Sequence, residues 1–245
     1  MRIVVVGGSG RVGSALVERL RAAGHEAVPA SPSTGVDTLT GAGVADALAG
    51  AQVLVDVSNS PSFADEDVLR FFTTSTRTLV DAARAAGVEH YVALSIVGTD
   101  TLPDSGYLRA KTAQEQLITA SGIPFTIVRA TQFFEFIAPI ADGATEGDRV
   151  VLPAAQFQPV AAGDVAALLA EVVVGPPAGT FDVAGPDARP MAEFVGATLA
   201  ATGDPRVVVG SPDARYFGTR LRPGSLVPRG DARITPTRFD DWLAS

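Results

Sequence analysis

The chain contains no cysteine, which excludes disulfides, thiolate nucleophiles and cysteine-ligated metal centres. It has two histidines, His25 and His90, each alone before an apolar strand-like run. Metal ligation needs clustered ligands, so both read as solvated strand ends and no metal site is expected. No run approaches the roughly 20 apolar residues of a membrane span. Met1-Arg2 leads straight into Ile3-Val4-Val5-Val6, with no apolar leader or small-residue cleavage site. A membrane partner and export are therefore not expected, and the missing cysteine joins the missing leader in favouring the cytoplasm. A concentrated basic face is lacking too: 19 Lys and Arg are spread along the chain against 27 acids, a net charge of −8. That argues against a nucleic-acid partner. What is present is a 245-residue chain, 47% hydrophobic, large enough for one core with an appended lobe. The expected organisation is a single domain over 1–245, with a C-terminal lobe from about residue 131 completing a small-molecule substrate site.

Short β-branched runs alternate with longer helical segments, the pattern of a parallel sheet with crossover helices. Ile3–Val6, Glu26–Pro29, Gln52–Val57, His90–Leu94 and Phe125–Val128 read as strands. Arg11–Ala23, Val44–Leu48, Ala64–Ala86 and Tyr107–Ser121 read as helices. In the first helix Val12, Leu16, Val17 and Leu20 recur at three- and four-residue spacing, so one face packs on the sheet. Gly24, Gly87 and Gly122 close three of these helices. Beyond residue 130, strands are expected at Arg149–Leu152, Thr180–Val183 and Val207–Val209, and helices at Gly163–Val174, Pro190–Thr202 and Thr235–Ala244. The fold class is α/β, a Rossmann-type doubly wound parallel sheet with a small C-terminal substrate lobe.

The N-terminal strand runs into Gly7-Gly8-Ser9-Gly10-Arg11-Val12-Gly13. Gly8-x-Gly10-x-x-Gly13 and Gly7-x-x-Gly10-x-x-Gly13 both satisfy dinucleotide patterns. One glycine permits the tight turn out of the strand, one lets backbone approach a pyrophosphate, and the last lets the helix pack close. The helix start supplies unpaired N–H groups and a positive dipole end for phosphates. A glycine-rich turn without ligand would look similar, but a strand before and an amphipathic helix after are the context that nucleotide binding requires. NAD recognition places an acid about 20 residues downstream, on the ribose diol. From Ala27 to Val36 there is none; Ser31, Ser33 and Thr34 stand there instead, with Arg11 in the loop. Hydroxyls plus a guanidinium suit a 2′-phosphate, so NADP(H) is favoured, with NAD(H) as the other possibility.

Tyr107 and Lys111 stand four residues apart, on one helix face. Ser95 lies 12 residues before the tyrosine, at a strand exit where open sheets build sites. Together they suit hydride transfer to a carbonyl. Tyr107 would protonate the oxygen, Lys111 would lower the phenol's pKa and hold the nicotinamide ribose, and Ser95 would hydrogen-bond the substrate oxygen.

The sequence here resembles the short-chain dehydrogenase/reductase superfamily, in its atypical, NmrA-like and isoflavone-reductase-like branch. The resemblance runs over nearly the whole chain. Its anchors are Val6–Gly13, Ala93–Gly98, Tyr107-x-x-x-Lys111, Thr126–Phe133, Pro159–Ala166 and Asp240–Leu243. It implies that Ser95, Tyr107 and Lys111 match the family's serine, tyrosine and lysine. It also implies that Asp37 is the acid near the adenine, that Val57-Ser58-Asn59 pass the cofactor riboses, and that Ala130, Thr131 and Phe133 lie beside the nicotinamide. Two departures stand out: many members of this branch lack the tyrosine, and Phe72–Ala86 contains no asparagine for the superfamily's fourth catalytic position.

The remaining candidates have plainer readings beside the functional ones. Phe133, Phe134 and Phe136 read as core before pocket wall. Asp164 reads as a helix N-cap, Asp65-Glu66-Asp67 as a solvated helix start, and Arg129 as the partner of either a structural carboxylate or a substrate. The expected function is reduction of a small carbonyl or quinone by NADP(H). A non-catalytic redox sensor and a nucleotide-dependent epimerase or isomerase are the alternatives.

Overall fold

The computed structural model describes residues 1–245. Its first half alternates β1 (Arg2–Val6), α1 (Arg11–Ala22), β2 (Glu26–Ala30), α2 (Val44–Leu48), β3 (Val53–Asp56), α3 (Asp65–Ala86), β4 (His90–Ile96), α4 (Gly106–Thr119) and β5 (Phe125–Ala130). The second half holds α5 (Ile137–Gly143), β6 (Thr145–Glu146), β7 (Arg149–Pro153), β8 (Gln156–Phe157), α6 (Ala162–Val174), β9 (Gly179–Ala184), β10 (Arg189–Pro190), α7 (Met191–Thr202), β11 (Val207–Ser211), β12 (Ala232–Ile234) and α8 (Phe239–Leu243). Seven strands form one all-parallel sheet in the order β12-β9-β5-β4-β3-β1-β2. The Rossmann-type α/β reading is correct.

Alternation along the strands divides the core. Ile3, Val5, Val55, Val92 and Val128 face α1 and α6, whereas Val4, Val6, Leu54, Tyr91, Ala93 and Ile127 face the other layer. Both faces are covered, which is why these strands read as continuous apolar runs. β1 lies between β2 and β3, with Val6 in register with both Ala30 and Asp56. The chain therefore leaves this point in opposite directions, and a crevice opens beyond the strand ends. A third apolar cluster, built on Phe134, Phe157, Phe194 and Phe239, holds the lobe. β9 and β12 then return to the main sheet, so the lobe is stitched to it.

β12 had no counterpart in the sequence reading, because three residues, Ala232-Arg233-Ile234, carry too short a pattern. The last helix covers only Phe239–Leu243, since Pro236 and the extended Arg238 precede it. His90 is a correction. It is 5% exposed rather than solvated, and its Nε2 lies 2.9 Å from Thr126 Oγ1. Burial pushes the imidazole pKa below its ordinary value, so the folded state holds the neutral ring. The unfolded chain takes up the proton near pH 6.5, so this contribution is intact above about 6.5 and is lost as pH falls below it. In urea titrations from about pH 7 to 5.5, His90→Gln should lose less stability on acidification than the parent. Parallel profiles would remove His90 as a source of acid sensitivity. No helix is long and apolar enough to cross a membrane.

Candidate functional site

The glycine loop divides its labour by backbone clearance. Gly7 takes φ +80, and a Cβ there would lie 2.8 Å from backbone atoms of Val57 and Ser58. Its N–H donates to Ala30 O at 2.9 Å, tying the turn to the end of β2. A Cβ on Gly13 would approach Gly7 O to 2.2 Å, so only glycine lets α1 press against the loop. Gly8 packs equally tightly on Val5 O and Pro29. Gly10 differs: a Cβ there would meet only Gly7 O, at 3.3 Å, because this glycine faces outward. Ser9, Gly10 and Arg11 are exposed, and Val12 is buried beneath them. No side chain caps α1 and no acid stands in its first turn, so its N–H groups and positive dipole end point into the crevice.

Ser31 follows directly on β2. Its hydroxyl pairs with that of Ser33 at 2.8 Å, and its N–H donates to Thr34 Oγ1 at 2.9 Å. Pro32–Thr34 thus form a closed 3-10 turn capped by Ser31, with Ser33 exposed. Asp37 caps the next turn: its Oδ1 accepts from the N–H of Leu39 at 2.8 Å and of Thr40 at 3.3 Å. The Leu39 N–H holds this carboxyl below its ordinary pKa. Val57-Ser58-Asn59 leave β3 against Gly7, with the Val57 N–H on Val6 O at 3.0 Å.

Tyr107 and Lys111 share a face of α4, but their polar ends go different ways. The Tyr107 ring packs against Phe63 and Phe72, and its hydroxyl donates to Asn59 Oδ1 at 2.8 Å. Lys111 is 2% exposed; its ammonium donates to Leu94 O at 2.9 Å and to Gln114 Oε1, and lies 4.5 Å above the Phe72 ring. Gln114 in turn donates to Asp56 Oδ2 at 2.9 Å, and Asp56 Oδ1 accepts from Ser58. Burial lowers the Lys111 pKa to about 8, with the Asp56 and Glu115 charges resisting. Burial also pushes the Tyr107 phenol above its ordinary value. The lowering expected from Lys111 does not appear, because its three donors are turned to Leu94, Gln114 and the Phe72 ring.

Ser95 sits elsewhere. It is 2% exposed and its Oγ donates to Glu115 Oε1 at 2.5 Å, so it is not free for a substrate oxygen in this arrangement. Glu115 also holds Arg129, with Nε on Oε1 at 3.0 Å and Nη2 on Oε2 at 2.5 Å. Arg129 thus has the structural carboxylate. Glu115, Gln114 and Asp56 were missed from sequence; their signal was the spacing of Gln114 and Glu115, three and four residues after Lys111, on the helix face that packs on the sheet.

Ala130 and Thr131 are buried at the end of β5. Phe134 is core at 2% exposure, whereas Phe136 is 46% exposed and pairs with half-buried Phe133. Asp164 is not the cap. Ala161 takes that position, and the Asp164 carboxylate accepts from the Thr237 N–H at 3.0 Å and hydroxyl at 2.9 Å, anchoring the C-terminal segment. Asp65-Glu66-Asp67 do form the first turn of α3, where they complement its dipole.

These residues fit a dinucleotide. The crevice offers an uncapped helix start and an outward glycine. At its far side, Thr131 Oγ1 and Gln132 Oε1 are buried without any hydrogen-bond partner, a costly condition that a polar ligand relieves.

A family model described as NAD(P)H-binding matches residues 7–176. The photosystem II assembly factor Ycf39 of Cyanophora paradoxa is 30% identical over 104 residues, 40% of this chain and 32% of that protein. This chain therefore matches about a third of that relative's length. Among solved structures, the UDP-glucose 4-epimerase of Thermus thermophilus, complexed with NAD, superposes with TM-score 0.71 at 21% identity, covering 92% of each chain. A nucleoside-diphosphate-sugar epimerase of Staphylococcus aureus gives 0.75 at 14% identity over 100% of both. The NADPH-dependent quinone oxidoreductase QOR2 of Escherichia coli, complexed with NADPH, gives 0.66 at 22% identity, covering 85% of this chain and 77% of that one. At these identities the three speak for the fold.

Proposed function

The chain belongs to the NAD(P)H-binding family, and on that premise we propose that it is an oxidoreductase of the atypical short-chain dehydrogenase/reductase type, acting on a small carbonyl or quinone with NADP(H). The observation that carries this reading is the Tyr107 phenol. It is held by Asn59, the residue directly after the Val57-Ser58 backbone that Gly7 touches, one helical turn from a buried ammonium. A protein that only sensed nucleotide would have no use for such a phenol.

Reduced nicotinamide, when bound, supplies the hydride. The chain's own residues do the rest. The loop Gly7, Gly8, Ser9, Gly10, Arg11, Val12 and Gly13 receives the pyrophosphate, the N–H groups of Gly7, Gly8 and Gly10 holding the turn while those at the start of α1 face the phosphate oxygens. Arg11 with Ser31 and Ser33 receives the 2′-phosphate, and Asp37 shapes the turn beside the adenine. Val57, Ser58 and Asn59 line the riboses; Ala130, Thr131 and Phe133 wall the nicotinamide side. Tyr107 Oη gives its proton to the substrate oxygen, and the Lys111 ammonium favours the phenolate left behind once it turns from Leu94 and Gln114 towards the phenol. Ser95 acts through Glu115, fixing the end of β4 that leads towards Tyr107.

The test mixes protein, NADPH and a panel of aldehydes, ketones and quinones and follows nicotinamide absorbance. Steady NADPH consumption with at least one member is expected; none across the panel defeats the proposal. Conversion of a substrate without net absorbance change would assign an epimerase instead. In parallel titrations NADPH should bind about tenfold more tightly than NADH, and Arg11→Gln should abolish the difference. Equal affinities in the parent protein would rule out the role given to Arg11 and the serines.

A further inference from the structure

Of the 19 Lys and Arg in the chain, Lys111 alone is a lysine. Arginine keeps its charge in proteins, so Lys111 is the one long cation here that can lose its proton. It is buried, and buried charges are ordinarily paired with an opposite charge. Lys111 instead donates to two neutral oxygens, Leu94 O and Gln114 Oε1, with the Phe72 ring of α3 beside it.

The carboxylate stands one side chain further out. Gln114, itself buried, donates through Nε2 to Asp56 Oδ2 at 2.9 Å. Its neighbours fix the orientation of the amide: an ammonium has only protons to give and a carboxylate only lone pairs. Asp56, buried at the end of β3, also accepts from the Ser58 N–H at 3.0 Å, the Ser58 hydroxyl at 2.6 Å and the Tyr91 hydroxyl of β4 at 3.3 Å. The Ser58 backbone presses on Gly7. A chain of hydrogen bonds therefore runs from the backbone beside the glycine loop, through Asp56 and Gln114, to the ammonium. The other charge acting on Lys111 is Glu115 of its own helix, and that carboxylate is taken up by Arg129 from β5 and Ser95 from β4. Tyr107, one turn earlier on α4, directs its hydroxyl to Asn59.

We propose that Gln114 is a positioning residue for Lys111: its amide stands between the ammonium and Asp56, so the cation is anchored without being locked in an ion pair and can turn to the phenol. A direct pair with Asp56 would bring two opposite buried charges together, and parting them would strand both. Across the amide Asp56 acts only at a distance, and the bonds given up on turning are to neutral oxygens. The same spacing leaves burial as the dominant influence on the ammonium, lowering its pKa to about 8. The consequence for turnover rests on the oxidoreductase reading; the hold of Gln114 on Lys111 does not.

A single lysine makes the test direct. Protein grown with side-chain-labelled lysine gives one ammonium signal, and NMR follows its titration with no substrate present. The parent midpoint should lie near pH 8. Gln114→Glu sets a carboxylate against the ammonium and should raise the midpoint by about one pH unit. Gln114→Met removes the oxygen that favours the charged form and should lower it by about one unit. Opposite shifts from one position are a result that general loosening of the core does not give. Asp56→Asn, which keeps the shape and removes the distant charge, should also lower the midpoint. Gln114 variants that titrate with the parent, or that move the same way, overturn the proposal. Should both fail to fold, an Asp56→Asn midpoint equal to the parent's overturns it. With a substrate that consumes NADPH, the fall in rate above pH 8 should move with the midpoint in each variant. At pH 7 Gln114→Glu should turn over about tenfold more slowly, its ammonium being held harder. A rate profile that ignores the midpoint overturns the proposal as well. Midpoints that shift as expected in a protein that never oxidises NADPH would support the role of Gln114 and defeat the oxidoreductase reading alone.

Discussion

Tyr107→Phe is expected to lower turnover by roughly 10²- to 10⁴-fold, the usual worth of a positioned proton donor, with nucleotide affinity nearly unchanged. The ring keeps its packing on Phe63 and Phe72, so only the hydroxyl and its bond to Asn59 are lost. The stability cost is about 1 kcal/mol, the net value of one hydrogen bond. Ser95→Ala gives the contrast. Its hydroxyl serves Glu115, so turnover should fall less than about tenfold, with a comparable loss of stability. The pH profile adds a readout that packing cannot imitate. Lys111 is charged below about 8 and neutral above it, so reduction should slow as pH rises through that value. The Tyr107 phenol is pushed upward and stays protonated there. A Tyr107→Phe protein with parental turnover, or a flat profile through pH 8, would remove the phenol–ammonium pair from the chemistry.

The second large effect is structural. Glu115→Ala should cost about 3 kcal/mol in urea unfolding, because it strands the half-buried Arg129 guanidinium and the buried Ser95 hydroxyl. The double variant Glu115→Leu/Arg129→Met should recover most of that loss, since a buried ion pair exchanged for apolar groups of similar volume is close to neutral. A single variant as stable as the parent would show that Arg129 finds compensation from Asp100, 3.5 Å away.

The glycine loop and the parallel sheet were readable because they obey local rules. In the first half, β1 and β3 announce themselves by apolar, mostly β-branched residues buried on both faces. Gly7, Gly8 and Gly13 each answer a clearance that any side chain would violate. Tyr107 and Lys111 were likewise visible at helical spacing. Their bonding was not, because spacing says which residues share a helix face and nothing about what the opposing strand presents. Whether Lys111 meets a ribose or Leu94 O depends on Gln114 and on Asp56, which stands 58 residues before Gln114 and is brought to it by strand register. His90 and Asp164 failed for the same reason. Each lies at an element's end, and its partner, Thr126 or Thr237, arrives from a distant segment.

By itself, then, the sequence determined a doubly wound α/β fold with a nucleotide-shaped loop at its start, since strand burial, helix periodicity and glycine clearance are properties of neighbouring residues. Only the tertiary structure decided that Ser95 serves Glu115, that Lys111 is a buried cation, and that Asp164 anchors Thr237. Those facts follow from which long-range partners satisfy buried charge and hydrogen-bonding groups, and the folded chain alone supplies the partners.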